Sequence, residues 1–497
     1  MSTRSRAALG IWHARNAHTT GDRAYVAYAV LMVALVTIVP LARALWLSAT
    51  STAGIAIFMS PVAPGVTALV VAALWAGALL LGRDRGPALL PPFLTHALAG
   101  SDLPRFETFR RPILRAGLLV IAMTTLAAAL VGGSLACRGL TDPLSAVLFV
   151  AAGALVGIIT TVAWLAGQSF PRAAVLIALS LLALGALTAV VPPLHAFVPW
   201  GWVGLAYPGS GSPHVLALLA ALTAALVAVV PVLLDRLRVA ELLAQAARWE
   251  SATTHAAGLD LGAAATVYQG RPHLGRHVRA IRSTGRLSLT FLFRDAIGAT
   301  RTPGRLIVGL LVLASAGVLI ALAFAPAAPG WLFGAAAGVL LFAGLGPLTD
   351  GIRHAASVAS DFPLYGISDE RLLANHALFP LAVVVIVLLV AVAVCSIVAG
   401  IAAAAPIVSS LAAGLLTLIA RVSNALKGSL PPALLTPIPT PMGDLGAGAR
   451  LVWAFDGLLL AALAGAGAAG AFESPILLVG VAAAVVAVGV YRWRHRT

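Results

Sequence analysis

The chain is 497 residues long, 60% hydrophobic and only 10% charged, with a mean hydropathy of +1.00 and a formal net charge of +15. No soluble globular domain has that composition. The hydrocarbon core of a bilayer needs roughly 20 consecutive apolar residues per helix, and the sequence supplies about twelve such runs. It reads as an all-α polytopic membrane protein.

In the first half the runs are Tyr25 to Trp46, Pro64 to Leu81, Leu114 to Ser134, Leu144 to Leu165, Ala173 to Val191 and Val215 to Leu234. In the second they are Leu306 to Phe324, Trp331 to Leu348, Ala377 to Val398, Ala402 to Ile419, Leu451 to Ala469 and Ile476 to Val490. Short loops rich in Lys and Arg stay cytoplasmic. Threaded in order, the runs put all 32 Lys and Arg on one side except Arg138, in a short outer loop, and Arg43, near the outer end of the first run. Arg43 there can snorkel to the headgroups. The expectation is a multi-pass protein of the cell inner (plasma) membrane with both termini cytoplasmic. Its basic face is then explained by topology and anionic lipid, with no nucleic-acid partner. The basic N-terminal segment lacks a small-residue cleavage site and reads as retained. Two cysteines, Cys137 and Cys395, exclude a disulfide framework.

The chain reads as two copies of one unit. Gly86-Pro87 follows the second run, with Ser101-Asp102-Leu103-Pro104 beyond it. Gly346-Pro347 ends the eighth, with Ser360-Asp361-Phe362-Pro363 beyond it, roughly 260 residues on. A repeat of six helices restores the same topology, so the copies should be parallel. The expected organisation is a six-helix half over 1–234, a cytoplasmic connector over 235–305 and a second six-helix half over 306–497. Within the connector, Leu287, Leu289, Phe291, Leu292 and Phe293 beside Arg294 and Asp295 read as an interfacial helix.

Several chemistries are excluded or disfavoured by inspection. A P-loop needs a lysine followed by Ser or Thr, and the single lysine, Lys427, precedes Gly428. The chain therefore has no nucleotide site of its own and is not expected to be an enzyme. Asp142 and Glu473, the only outer-side carboxylates of this topology, lie in separate halves, which argues against an extracytoplasmic active site. His273 and His277 have the i, i+4 spacing of a metal-binding face, but Arg271, Arg276 and Arg279 surround them; no metal site is expected. Asp456 lies inside the eleventh run, where a charge is costly; it reads either as a proton or substrate site, or as an interface residue reaching a neighbouring helix or Arg450. Val191 to Pro213, with Trp200, Trp202 and Tyr207, fits interfacial anchoring or a short re-entrant outer gate.

Together these features resemble the permease subunit of an ABC transporter of the ABC-2 exporter type, in a duplicated form with both six-helix halves on one polypeptide. The resemblance covers the whole chain. It implies elbow helices at Ala8 to Arg23 and Leu287 to Arg305, and coupling segments at Gly86 to Arg111 and Gly346 to Arg371. Short helices near Leu94 to Gly100 and Ile352 to Ala359 would dock on an ATPase, with Leu94, Ser101, Asp102, Pro104, Val358, Ser360, Asp361 and Pro363 as the coupling residues. It also implies a separate ATP-binding-cassette subunit, in two copies, that carries the ATP and Mg, and an apolar or amphipathic substrate moved outward. The second half departs from the family's pattern in its proline-rich stretch Leu430 to Arg450 and its short outer loop at Glu473. The alternative is a secondary transporter of the major facilitator kind, similar in its six-plus-six repeat and faintly in Gly82-Arg83-Asp84-Arg85-Gly86. A membrane scaffold or sensor that transports nothing is the third class.

Overall fold

Proline punctuates the helices of this chain. Pro143, Pro303 and Pro475 each open an apolar helix at its first turn, where a missing N–H costs nothing. Asp142 adds a cap, its carboxylate accepting from the N–H groups of Leu144 and Ser145 at 3.1 and 3.3 Å. Gly400 ends the long helix before it in the left-handed region, φ 66°, where glycine has no Cβ to clash.

In the computed structural model the described residues are 3–495 except 18, 102, 210–212, 270–274, 276–277, 280–284, 327, 359–365, 429, 432–433, 435, 437–438 and 441–442. The protein is all-α, 83% helical. The first unit, Met1–Thr254, contains α1 (Thr3–Arg15), α2 (Thr20–Ala49), α3 (Thr52–Phe58), α4 (Ala63–Asp84), α5 (Pro92–Ala99), α6 (Arg105–Cys137), α7 (Pro143–Ser169), α8 (Ala173–Val190), α9 (Pro199–Leu205), α10 (Pro213–Asp235) and most of α11 (Val239–Ala257). The second, His255–Thr497, contains α12 (Leu261–Thr266), α13 (Leu287–Thr300), α14 (Pro303–Ala323), α15 (Gly330–Leu345), α16 (Asp350–Val358), α17 (Asp369–Ala399), α18 (Ala404–Ala425), α19 (Leu445–Ala469) and α20 (Pro475–Arg494). A two-residue antiparallel bridge pairs Pro439–Thr440 with Gly443–Asp444.

Among the described residues eleven helices are long and apolar enough to cross a membrane, where the sequence suggests about twelve. The twelfth, α8, is a shorter apolar helix, and 18 residues at ~1.5 Å each fall just short of the ~30 Å core. A 3₁₀ turn beginning at Pro192 follows it. The expected elbow over Ala8 to Arg23 is also interrupted. Helix α1 ends at Arg15, and α2 begins behind a reciprocal cap in which Thr19 and Asp22 bond each other's backbone N–H.

Helices in the same order along each unit pack in the same pairs. In the first unit α4 packs on α7 and α8, α6 on α7, and α7 on α10; in the second α15 packs on α18 and α19, α17 on α18, and α18 on α20. Each unit uses two glycines four apart to bring backbones together. Gly153 and Gly157 of α7 face α6, where a Cβ on Gly157 would meet Ile121 Cα at 2.6 Å. Gly334 and Gly338 of α15 face α19, where a Cβ on Gly334 would meet Ala469 Cβ at 2.7 Å. The first helices differ. Helix α14 packs on α15 and α17, whereas among the described residues of α2 only Ala49 is buried.

The division between units falls inside the stretch read as a connector. Leu242, Gln245, Ala246 and Ala252 of α11 are buried, and Leu242 joins a core with Phe109, Leu165 and Leu234 in the first unit. Helix α13 packs on α17 in the second unit. Amphipathic helices at the mouth of a bundle bury one face on it, so this polar stretch shares its neighbours' cores.

Candidate functional site

In both units the turn after the second span is held by polar side chains, and a short helix follows. In the first unit α4 stops at Asp84 and Arg85 turns extended, φ −148°. Gln168, at the end of α7, accepts from the Ala88 N–H and donates to the Ala88 carbonyl, both at 3.2 Å. It also donates to Gln245 Oε1 at 2.9 Å, which accepts in turn from the Gly86 N–H at 3.2 Å. A Cβ on Gly86 would run into the Gln168 side chain, so a larger residue there would displace the amide from its partners. Trp164 Nε1 donates to the Arg85 carbonyl at 2.6 Å, and the Arg85 guanidinium lies 3.3 Å over the Trp249 ring. Buried amides so fully paired fix the turn to α7 and α11.

Helix α5 then turns Leu94, Thr95 and Leu98 inward and leaves Phe93 and His96 exposed. Leu94 is thus a buried anchor of the helix, unavailable as a surface contact. Trp12 of α1 stacks on Phe93, rings 6.3 Å apart. Ser101 is half-buried and donates to the Leu98 carbonyl at 2.7 Å. Exposed Pro104 leads into α6, and Asp102 lies outside the described residues. Arg105, the first residue of α6, donates to the carbonyls of Asp235 and Leu237, capping the end of α10.

The second unit builds the same turn with ion pairs. Arg305, at the start of α14, holds both oxygens of Asp350, with Nη2 3.0 Å from Oδ1, and Arg353 pairs with the same carboxylate. Both arginines also donate to the Gly346 carbonyl at 3.3 Å. Helix α16 buries Ile352 and Ala355 and exposes His354 and Ser357; Val358 is half-buried against the core. Ser360, Asp361 and Pro363 lie outside the described residues, as do His273 and His277. On the far side of α16, Asp295 Oδ2 of α13 lies 2.6 Å from His376 Nδ1 of α17, and Phe291 packs edge-on to the same imidazole, rings 4.7 Å apart.

Asp456 does not reach Arg450, which pairs with Asp444 at 2.6 Å. It bridges two other helix ends instead, with Lys427 Nζ 3.0 Å from Oδ1 and Arg492 on Oδ2, while Arg492 donates to Ser423 Oγ at 3.2 Å. This cluster joins α18, α19 and α20, which supports the interface reading of Asp456. Burial pushes the Lys427 ammonium below its usual range, against the opposing pull of Asp456. Arg43 is exposed on α2.

Of the three aromatics of the segment before Pro213, two are core residues. Trp200 is buried and donates to Thr188 Oγ1 at 3.2 Å. Tyr207 is buried, donates to the Phe58 carbonyl at 2.9 Å and meets Phe149 edge-on; burial pushes its phenol up to about 12. Half-buried Trp202 donates to the Ala196 carbonyl at 2.9 Å. The segment does form a short helix pair, the 3₁₀ turn Pro192–Phe197 and α9.

Sequence reasoning passed over Gln168, Gln245, Arg421 and His376, and placed Asp295 on an interfacial helix without its partner. Their common signal is a polar side chain within a turn or two of the end of an apolar run, or on a short helix beside one. Compared with protein-family models, with curated proteins and with solved structures, the chain matches none.

Proposed function

We propose that the chain is the membrane-spanning permease subunit of an ATP-driven exporter of the ABC-2 kind, moving an apolar or amphipathic substrate outward. The energy comes from a separate ATP-binding-cassette subunit, in two copies, which binds the ATP and Mg. The observation that carries this reading is the recurrence of one device in both units. A short helix with a buried apolar face and an exposed face, α5 or α16, follows the second span and precedes a long third helix, α6 or α17. In this reading the arginine-rich ends face the cytoplasm of the inner membrane, and the exposed faces, Phe93 with His96 and His354 with Ser357, receive the ATPase. Movement of the ATPase is passed on through buried anchors, Leu94 and Leu98 in one unit and Ile352 and Ala355 in the other. The major facilitator alternative expects a tight turn after the second span, and here that loop contains a helix.

A contact at the centre of a docking surface carries about 2 kcal/mol or more. Phe93→Glu and Ser357→Glu alter only exposed positions, so each variant should keep the fold and lose ATPase stimulation by substrate. Unchanged co-purification and stimulation in the double variant would reject docking on these helices.

A further inference from the structure

A cavity of about 920 Å³ opens beside the Gly346-Pro347 turn of the second unit, and its walls have two characters. One wall is cationic, formed by Arg353, Arg421 and Lys427 with Arg305 at its edge; the other is apolar, formed by Phe342, Trp453, Phe455 and Leu458. The charges do not cancel. Arg305 and Arg353 share Asp350, and Lys427 and Arg492 share Asp456, so each carboxylate is divided between two cations. Asp260 is the one carboxylate among the lining residues. Five cations against these three carboxylates leave an excess of two.

Arg421 concentrates that excess. Its Nε donates to the Phe342 carbonyl at 2.7 Å and its guanidinium lies 3.7 Å over the Phe342 ring, but among the described residues no carboxylate is within ion-pair distance of it. Arg353 and Arg305 act on it as like charges, and the Asp350 carboxylate they share offsets them only in part. A half-buried guanidinium with no carboxylate paired directly to it is costly, and an anion from outside the chain relieves that cost.

The depth of the cavity adds shape to the charge. Arg421 and Lys427 flank the end of one span, Arg305 begins another, and Arg353 lies on the helix between two more, which puts the cationic wall at headgroup level. From Trp453 to Leu458 the apolar wall climbs α19 by roughly 7 Å towards the hydrocarbon. The first unit carries a cavity of about 930 Å³ at its own Gly-Pro turn, where Arg85, Arg111 and Arg115 meet Trp12 and Trp249.

We propose that the second-unit cavity binds an anionic membrane phospholipid, its phosphate facing Arg421 and Arg353 and an acyl chain lying along Trp453, Phe455 and Leu458. The site stands on the geometry of this unit alone and does not depend on the transport reading. The phosphate chemistry would also suit a free anion, and the experiment separates the two sources. The full chain is reconstituted in phosphatidylcholine vesicles with acyl-brominated phosphatidylglycerol, or with brominated phosphatidylcholine in the same proportion. Trp453 emission is read as the difference between the parent and Trp453→Phe. Brominated phosphatidylglycerol should quench Trp453 at a mole fraction roughly tenfold lower than brominated phosphatidylcholine, the effect of one charge-assisted hydrogen bond. Arg421→Gln and Arg353→Gln should each abolish that preference, and Arg23→Gln, on an exposed cation outside the cavity, should retain it. Arg353 is partly exposed, so its variant keeps the test open if Arg421→Gln fails to fold. Equal quenching by the two lipids, or a preference that survives in a folded cavity variant, overturns the proposal. Complete relief of quenching by inorganic phosphate assigns the site to the free anion and overturns it as well.

Discussion

His376 Nδ1 lies 2.6 Å from Asp295 Oδ2, and the imidazole has no exposed surface. The pair ties α13, which precedes the first span of the second unit, to α17, the third. Arg294 stands at 3.4 Å on the other ring nitrogen, so the imidazole is flanked on both sides. Asp295→Ala would leave a buried ring nitrogen unpaired, at a cost of about 2 kcal/mol. The expected outcome is a lower thermal midpoint and faster proteolysis of the segment around α13. An unchanged midpoint would mean that α13 is not held by this pair.

Asp456 is held between Lys427 and Arg492, with the three side chains between 8% and 19% exposed. Removing the shared carboxylate leaves two poorly solvated cations facing each other. Asp456→Asn should therefore destabilise the chain by about 3 kcal/mol, despite the amide's capacity to hydrogen bond. A double-mutant cycle with Lys427→Met, read by thermal unfolding in detergent, should give a coupling on the order of 1 kcal/mol or more. Coupling near zero with normal stability would return Asp456 to the list of transport residues.

Gln168 and Gln245 satisfy both polar groups of Ala88 and the N–H of Gly86. Gln168→Ala strands the Ala88 pair in a buried turn, at a cost of about 2 kcal/mol. Hydrogen exchange should accelerate at residues 86–88 more than in the middle of α7. Uniform protection in the variant would show that the turn is held by other contacts.

Tyr207 carries a pH signature. Its phenol is raised to about 12 from the ordinary 10.0, so between those values the unfolded chain loses a proton that the folded chain keeps. Its contribution to stability is complete below pH 10 and is lost as the pH rises through about 12. Tyr207→Phe should flatten the alkaline fall in stability, at the expense of the bond to Phe58. A phenolate absorbance titration showing no late-titrating tyrosine lost in the variant would contradict the assignment.

The sequence made the spans legible because every apolar run of sufficient length became a helix. The short helices were expected only through the resemblance, and the structure begins them at Pro92 and Asp350. The inward faces were not legible. The resemblance makes Leu94 a docking contact, but a helix of eight residues is too short for periodicity to say which face a neighbour will cover. Trp200 and Tyr207 suit an aromatic belt by composition, whereas tertiary packing drew them into the core beside Phe149. The partners of Asp456 lie 29 and 36 residues away, beyond anything local spacing can reveal.

In the proposed mechanism an ATPase outside the chain energises transport through α5 and α16. The most direct measurement takes the complex purified in mild detergent from its native membrane and reconstitutes it in vesicles. Movement of a fluorescent amphiphile is then followed with ATP and Mg supplied on the side of the arginine-rich ends, or with an ion gradient in place of ATP. Movement is expected with ATP only, and is lost in Phe93→Glu with Ser357→Glu. Movement driven by the ion gradient without ATP or an associated ATPase would contradict that mechanism and favour the secondary-transporter alternative.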